Sequence, residues 1–263
     1  MKRHGFAWRT QIEKMQKNEK AASGIRKPES DERTEDINLK KWISGIIPVY
    51  GWIPLITEFV LNTIVYNGAK LIAGNWHHYN LETDLDRMIP FVPWTVVIYF
   101  GCFLFWAVIY ILCVRQGKVR AYRFLSADFL AKCICLFFFL VFPTTNTRPE
   151  VGPDGIWNMA IRFLYWVDSP DNLFPSIHCL TSWMCYIGIR GQKQVSLGYR
   201  VFSCVMAVAV FISTLTTRQH VLADVAGGVL LAEVCWQIAG RTSLAETYGR
   251  VFERLTTRVE EKL

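Results

Sequence analysis

FVPWTVVIYFGCFLFWAVIYILCV, residues 91–114, contains no charged side chain. A helix needs about 20 apolar residues to cross the hydrocarbon core of a bilayer, so this stretch predicts a transmembrane helix. Working outward, five more apolar segments fall at 43–66, 124–142, 174–190, 199–217 and 220–240. The first is interrupted by Pro48, Pro54 and Glu58, and the fourth is short. The pattern predicts an all-α polytopic membrane bundle with about six transmembrane helices. The domain layout follows: a polar tail over 1–41, a six-helix membrane domain over 42–240 and a polar C-terminal tail over 241–263.

Composition agrees with that class. Of 263 residues, 52% are hydrophobic and 14% aromatic, which a soluble fold rarely carries. The net charge of +7 is concentrated in the tail and short loops, where membrane topology explains it, so no nucleic-acid partner is inferred. The N-terminal tail lacks the apolar stretch of a cleavable signal peptide, and residues 23–35 read as disordered. All eight cysteines lie in apolar segments and read as small buried hydrophobes rather than a disulfide framework.

Loop charge gives an orientation. The connection 115–123 carries Arg115, Lys118, Arg120 and Arg123, and 190–200 carries Arg190, Lys193 and Arg200, neither with an acid. The connections 67–90 and 143–173 hold Glu82, Asp84, Asp86, Glu150, Asp154, Asp168 and Asp171. Basic loops stay cytoplasmic. Both termini are therefore expected in the cytoplasm, in a multi-pass protein of the plasma membrane, with the acidic loops outside.

Two polar motifs then meet on the outer face. Pro175-Ser176-Ile177-His178 opens one apolar segment, and Arg218-Gln219-His220-Val221-Leu222-Ala223-Asp224 opens another. His220 and Asp224, at i and i+4, share a helix face. A carboxylate that fixes an imidazole tautomer lets the other ring nitrogen attack phosphorus. His178 can protonate a leaving alkoxide. Ser176 can cap its helix, whose free N–H groups can cradle phosphate. Arg148 and Arg218 are the cationic candidates for phosphate, with Arg162 a weaker third. Each feature also has a plainer reading: a capping pair, an N-cap, an arginine reaching for lipid headgroups. Asp128 and Lys132, at i and i+4, read as an intramembrane ion pair. Glu58 has no evident partner, and Gly227-Gly228 read as a site of close helix packing. His77-His78 lack a third ligand nearby, and no metal site is inferred.

At these residues the chain resembles the type 2 phosphatidic acid phosphatase superfamily. Pro175, Ser176 and His178 match its Pro-Ser-x-His motif; Ser213, His220 and Asp224 match Ser-Arg-x5-His-x3-Asp; Arg148-Pro149 match the end of Lys-x6-Arg-Pro. The Lys position is Val141 and the motif-three Arg position is Thr214, with Arg218 two residues before the histidine. This variant, and the stretch from Asp84 to Pro93, resemble the branch related to inositol phosphorylceramide synthases. The resemblance implies His220 as nucleophile, Asp224 as its partner and His178 as leaving-group acid, acting without metal or cofactor. It implies a membrane lipid phosphate as substrate and water or an acceptor alcohol as the second substrate. The competing reading from the residues is a non-enzymatic membrane protein that binds or transports a lipid headgroup.

Overall fold

The computed structural model describes residues 45–260. The polar stretch 1–41, including the expected disordered segment 23–35, lies outside the described residues. The described chain is all-α apart from two short strands, and five of its nine helices are long and apolar enough to span a bilayer. They are α1 (Val49–Ala73), α3 (Val96–Val114), α4 (Lys118–Val141), α7 (Leu197–Thr216) and α8 (Leu222–Arg241). The sixth expected segment is α6 (Ile177–Arg190), of 14 residues. At 1.5 Å per residue it is about 21 Å long, and it lies among its longer neighbours α3, α7 and α8. The residues that lead into it, Asn172, Leu173 and Ser176, are already buried, so its first turn begins inside the bundle.

Two short helices sit outside the spans, α2 (Asp84–Met88) and α5 (Ile156–Val167). A two-residue parallel pairing, β1 (Tyr79–Asn80) with β2 (Thr144–Thr145), ties the connection after α1 to the one after α4. Helix α1 contains a π-helical turn at Ile64–Gly68. Such turns recur at functional sites because they redirect side chains, and this one carries Tyr66.

Two features differ from the sequence reading. The expected C-terminal tail contains α9 (Leu244–Glu260), which packs on α4 and α1. Tyr248 and Phe252, one turn apart, enter the core beside Tyr122 and Phe129, while charged residues occupy the other face. Glu58, expected to lack a partner, accepts a hydrogen bond from the Tyr248 hydroxyl at 3.0 Å and one from Lys132 at 3.4 Å. Lys132 also donates to Asp128 at 2.7 Å, as the i, i+4 spacing predicts, and Tyr110 donates to the same carboxylate oxygen at 2.7 Å. Four helices, α1, α3, α4 and α9, are thus joined through one buried polar cluster. Buried charge persists only where such partners satisfy it.

Gly227 and Gly228 set the spacing of α6 and α8. A Cβ at Gly228 would lie 2.5 Å from the Ser176 carbonyl oxygen, and one at Gly227 would meet the Phe174 ring at 2.5 Å. The backbones touch there, and the N-terminal ends of α6 and α8 are brought together. The Ser176 N–H donates to the Asp224 carbonyl at 3.1 Å.

Candidate active site

The contact between α6 and α8 places the two histidines at one end of the bundle. Ser176 caps α6, its hydroxyl oxygen accepting from the Cys179 N–H at 3.2 Å. His178 follows in the first turn. His220 lies just before α8 and Asp224 inside its first turn. The Asp224 carboxylate accepts from the Val221 N–H at 3.0 Å and stands 3.3 Å from His220 Nδ1. Nε2 of His220 is left for other work. The His178 and His220 ring centroids are 5.8 Å apart.

Both rings line a cavity of about 260 Å³. Its walls are largely apolar, formed by Phe100, Phe103, Trp106, Leu164 and Val167, with Tyr66 and Asn67 from α1 closing another side. The His178 ring packs tilted against Tyr99, centroids 4.6 Å apart, and lies 5.6 Å from Trp106. The Tyr99 hydroxyl donates to Asp168 Oδ2, and Tyr66 donates to Oδ1. Asp168 therefore ties α1, α3 and the end of α5 together at the cavity wall. Tyr66, Tyr99, Asp168 and Gln219 all line the cavity, and sequence reasoning missed them. The one local signal was for Gln219, which immediately precedes His220.

None of the residues expected to hold phosphate, Ser176, Arg148, Arg218 and the weaker Arg162, lines the cavity. Ser176 is fully buried in its capping role and does not line the cavity. Arg148 lies one layer behind. It donates to the Asp168 carbonyl and to Gln219 Oε1, and its guanidinium stacks on Tyr165 at 4.5 Å. Burial pulls the Arg148 guanidinium below its ordinary value, although Asp168 opposes that. Burial likewise pushes the Tyr165 hydroxyl up to about 12, against the charges of Arg148 and Arg218. Arg162 is exposed on α5 and also absent from the lining.

Arg218, expected to hold phosphate, points its guanidinium at α2 and does not line the cavity. Its guanidinium donates to the carbonyls of Asp86 at 2.7 Å and Ile89 at 2.6 Å, with a longer contact of 3.5 Å to Arg87. These carbonyls terminate α2, where a cation is favoured. Arg218 has φ +56°, a conformation costly for a residue with a Cβ, and the three carbonyls hold it there. Asp86 answers from the same side: its Oδ1 accepts from the Leu222 N–H at 2.7 Å, capping α8. Burial would raise the Asp86 carboxyl, but hydrogen bonds from Thr83 and Leu222 and the Arg218 charge carry it below its ordinary value. The turn 216–222, and His220 with it, is thereby clamped to α2. Thr214, where an arginine was expected, is fully buried, and its carbonyl accepts from the N–H groups of both Gln219 and His220.

The family model of the PAP2 superfamily matches residues 81–238. The chain belongs to that superfamily. No curated protein and no solved structure matches it. The matched region of this PAP2 superfamily member contains every cavity residue except those contributed by α1, and both histidine motifs. Membership suggests phosphatase-type chemistry on a lipid phosphate.

Proposed function

We propose that this chain transfers a phosphoryl group from a membrane lipid phosphate through a phosphohistidine at His220. The observation that carries this reading is the pairing of His220 with Asp224, 5.8 Å ring to ring from His178, at an apolar-walled cavity. Asp224 holds the Nδ1 proton, so Nε2 presents its lone pair. As the N–P bond forms, the P–O bond to the lipid breaks and the departing oxygen takes a proton from His178. Water or an acceptor alcohol then attacks phosphorus and passes its proton to His178, and the N–P bond breaks. Hydrolysis and transfer differ only in that entering group. The aromatic and aliphatic walls suit acyl chains, and no metal is needed for either step.

In this reading the site lies on the extracytoplasmic face of the plasma membrane, and the termini are cytoplasmic. Support comes from α6, which carries His178 in its first turn and Arg190 in its last. The two connections that carry basic residues and no acid, Arg115 to Arg123 after α3 and Lys193 to Arg200 after α6, lie at the Arg190 end, whereas the connections at the histidine end mix Arg87, Arg148 and Arg162 with the acids Asp84, Asp86, Glu150, Asp154, Asp168 and Asp171.

The test is product formation by the purified chain over a panel of lipid phosphates, with and without acceptor alcohols such as inositol, in excess chelator. Phosphate release or a new phosphorylated alcohol supports the reading. No turnover on any lipid, or turnover only after one divalent ion is restored, would overturn it.

A further inference from the structure

Among the described residues, no lysine or arginine lines the cavity that holds the two histidines. The fixed positive charge of Arg148 reaches it through Gln219. Arginine can only donate, so the carboxamide oxygen must face Arg148, and the amide NH2 must face the other way. That nitrogen is buried without any hydrogen-bond partner, in a side chain that is 1% exposed and lines the cavity next to His220. Its backbone is pinned too. The Gln219 N–H donates to the Thr214 carbonyl at 2.9 Å, and Asn146 holds the preceding carbonyl at 3.0 Å. A buried donor left unpaired costs free energy, so one held beside the cavity is stabilised by a water or by an accepting oxygen of a bound ligand.

Resting on the phosphohistidine reading above, we propose that the Gln219 carboxamide is a catalytic residue that donates a hydrogen bond to a non-bridging oxygen of the phosphoryl group. Arg148 polarises the amide from behind, which strengthens the donation without placing a full charge in the cavity. Thr214 and Val141 stand where superfamily cations were expected, and Arg218 is engaged on α2. Gln219 fills the electrostatic role they leave open. It forms and breaks no covalent bond; it is a preorganised donor aimed at charge that develops on oxygen.

The discriminating variants are Gln219→Glu and Gln219→Met. Glutamate keeps an oxygen for Arg148 and is nearly isosteric, but it replaces the donor with a second acceptor. If Gln219 served only to hold Arg148, Gln219→Glu would be harmless. The experiment is orthovanadate binding to the full chain in detergent micelles, read by the shift in unfolding temperature across a concentration series. His220→Ala is measured alongside. We expect both Gln219 variants to bind orthovanadate about 10–100-fold more weakly, the loss of one hydrogen bond to a charged group. The unliganded unfolding temperature of Gln219→Glu stays near that of the unmodified chain. Wild-type affinity in Gln219→Glu overturns the proposal, while His220→Ala weakened in the same series leaves the phosphohistidine reading standing. Weak binding in both Gln219→Glu and the uncharged Gln219→Met, with full affinity in His220→Ala, does the opposite: it supports Gln219 as the donor and removes His220 as the nucleophile, while full affinity in Gln219→Met assigns the glutamate effect to charge repulsion and overturns the donor. An unmodified chain that does not bind orthovanadate contradicts both.

Discussion

Arg218→Ala separates a residue that touches phosphate from one that shapes the turn bearing His220. Alanine keeps a Cβ, so the left-handed backbone at position 218 is equally strained in both proteins and only the side-chain bonds are lost. Two short contacts, 2.7 Å to Asp86 and 2.6 Å to Ile89, are charge-assisted. Each is worth about 1.5–3 kcal/mol, and partial exposure of the arginine argues for the lower end, about 3 kcal/mol together. For a chain of this size that corresponds to a fall in unfolding temperature on the order of 10 °C. Turnover should drop as well, by about 10²-fold, because small misplacements of a reacting group cost that much. Asp86→Ala should produce the same pair of effects, since the Asp86 carboxylate caps α8 and so holds the same turn to α2. The double variant should cost clearly less than the sum, as residues in one network are not additive. The assay is thermal unfolding in micelles with turnover measured on the same samples. A large loss of turnover with an unchanged unfolding temperature would refute this role and return Arg218 to the phosphate.

Asp86→Asn carries a pH signature. The folded Asp86 carboxyl lies below its ordinary 3.8, so its stabilisation is complete above that value and is lost as pH falls through the lower folded value. The difference in unfolding temperature between Asp86→Asn and the unmodified chain should be constant near neutrality and shrink below about pH 4; a gap that widens on acidification would contradict the assignment. Gly228→Ala pushes a methyl group to 2.5 Å from the Ser176 carbonyl, a backbone atom that cannot swing aside. We expect a loss of about 1–3 kcal/mol together with reduced turnover, and unaltered unfolding and activity would show that α6 and α8 are not in contact there. Lys132→Met strands Asp128 and Glu58 without their shared cation, for a loss of about 3–5 kcal/mol by thermal or denaturant unfolding; an unaltered midpoint would remove the buried cluster from the account.

The spans were legible because hydrocarbon imposes a length and a polarity that few other environments impose. Residues 91–114 contain α3 and end where it ends, and 220–240 cover all but the last residue of α8. The placement of His178, His220 and Asp224 at the starts of two helices was legible from their spacing, and the close approach at Gly227-Gly228 because small residues mark it. What failed depended on contacts across the chain. The partners of Glu58 are Lys132, 74 residues away, and Tyr248, 190 residues away. The 241–263 segment looked polar by composition, although Tyr248 and Phe252 recur at helical spacing. Arg218 was assigned by its proximity in sequence to His220, whereas its direction is set by a positive φ that no residue preference at this position announces. Gln219 was overlooked because a neutral amide is a common residue. Its orientation is set by Arg148, folded back behind it from the connection after α4.

The central claim is that His220 carries the phosphoryl group and His178 supplies the proton to the leaving group. Rapid-quench labelling with a phosphorus-labelled aryl phosphate tests it directly, using His220→Ala and His178→Ala beside the unmodified chain. A nitrophenolate leaving group needs little protonation, so His178→Ala should still form phosphoenzyme, at a rate partly restored relative to its activity on an alkyl phosphate. His220→Ala should form none with any leaving group, because no proton donor replaces the attacking nitrogen. Label that persists in His220→Ala, or equal rescue of the two variants, would contradict the account.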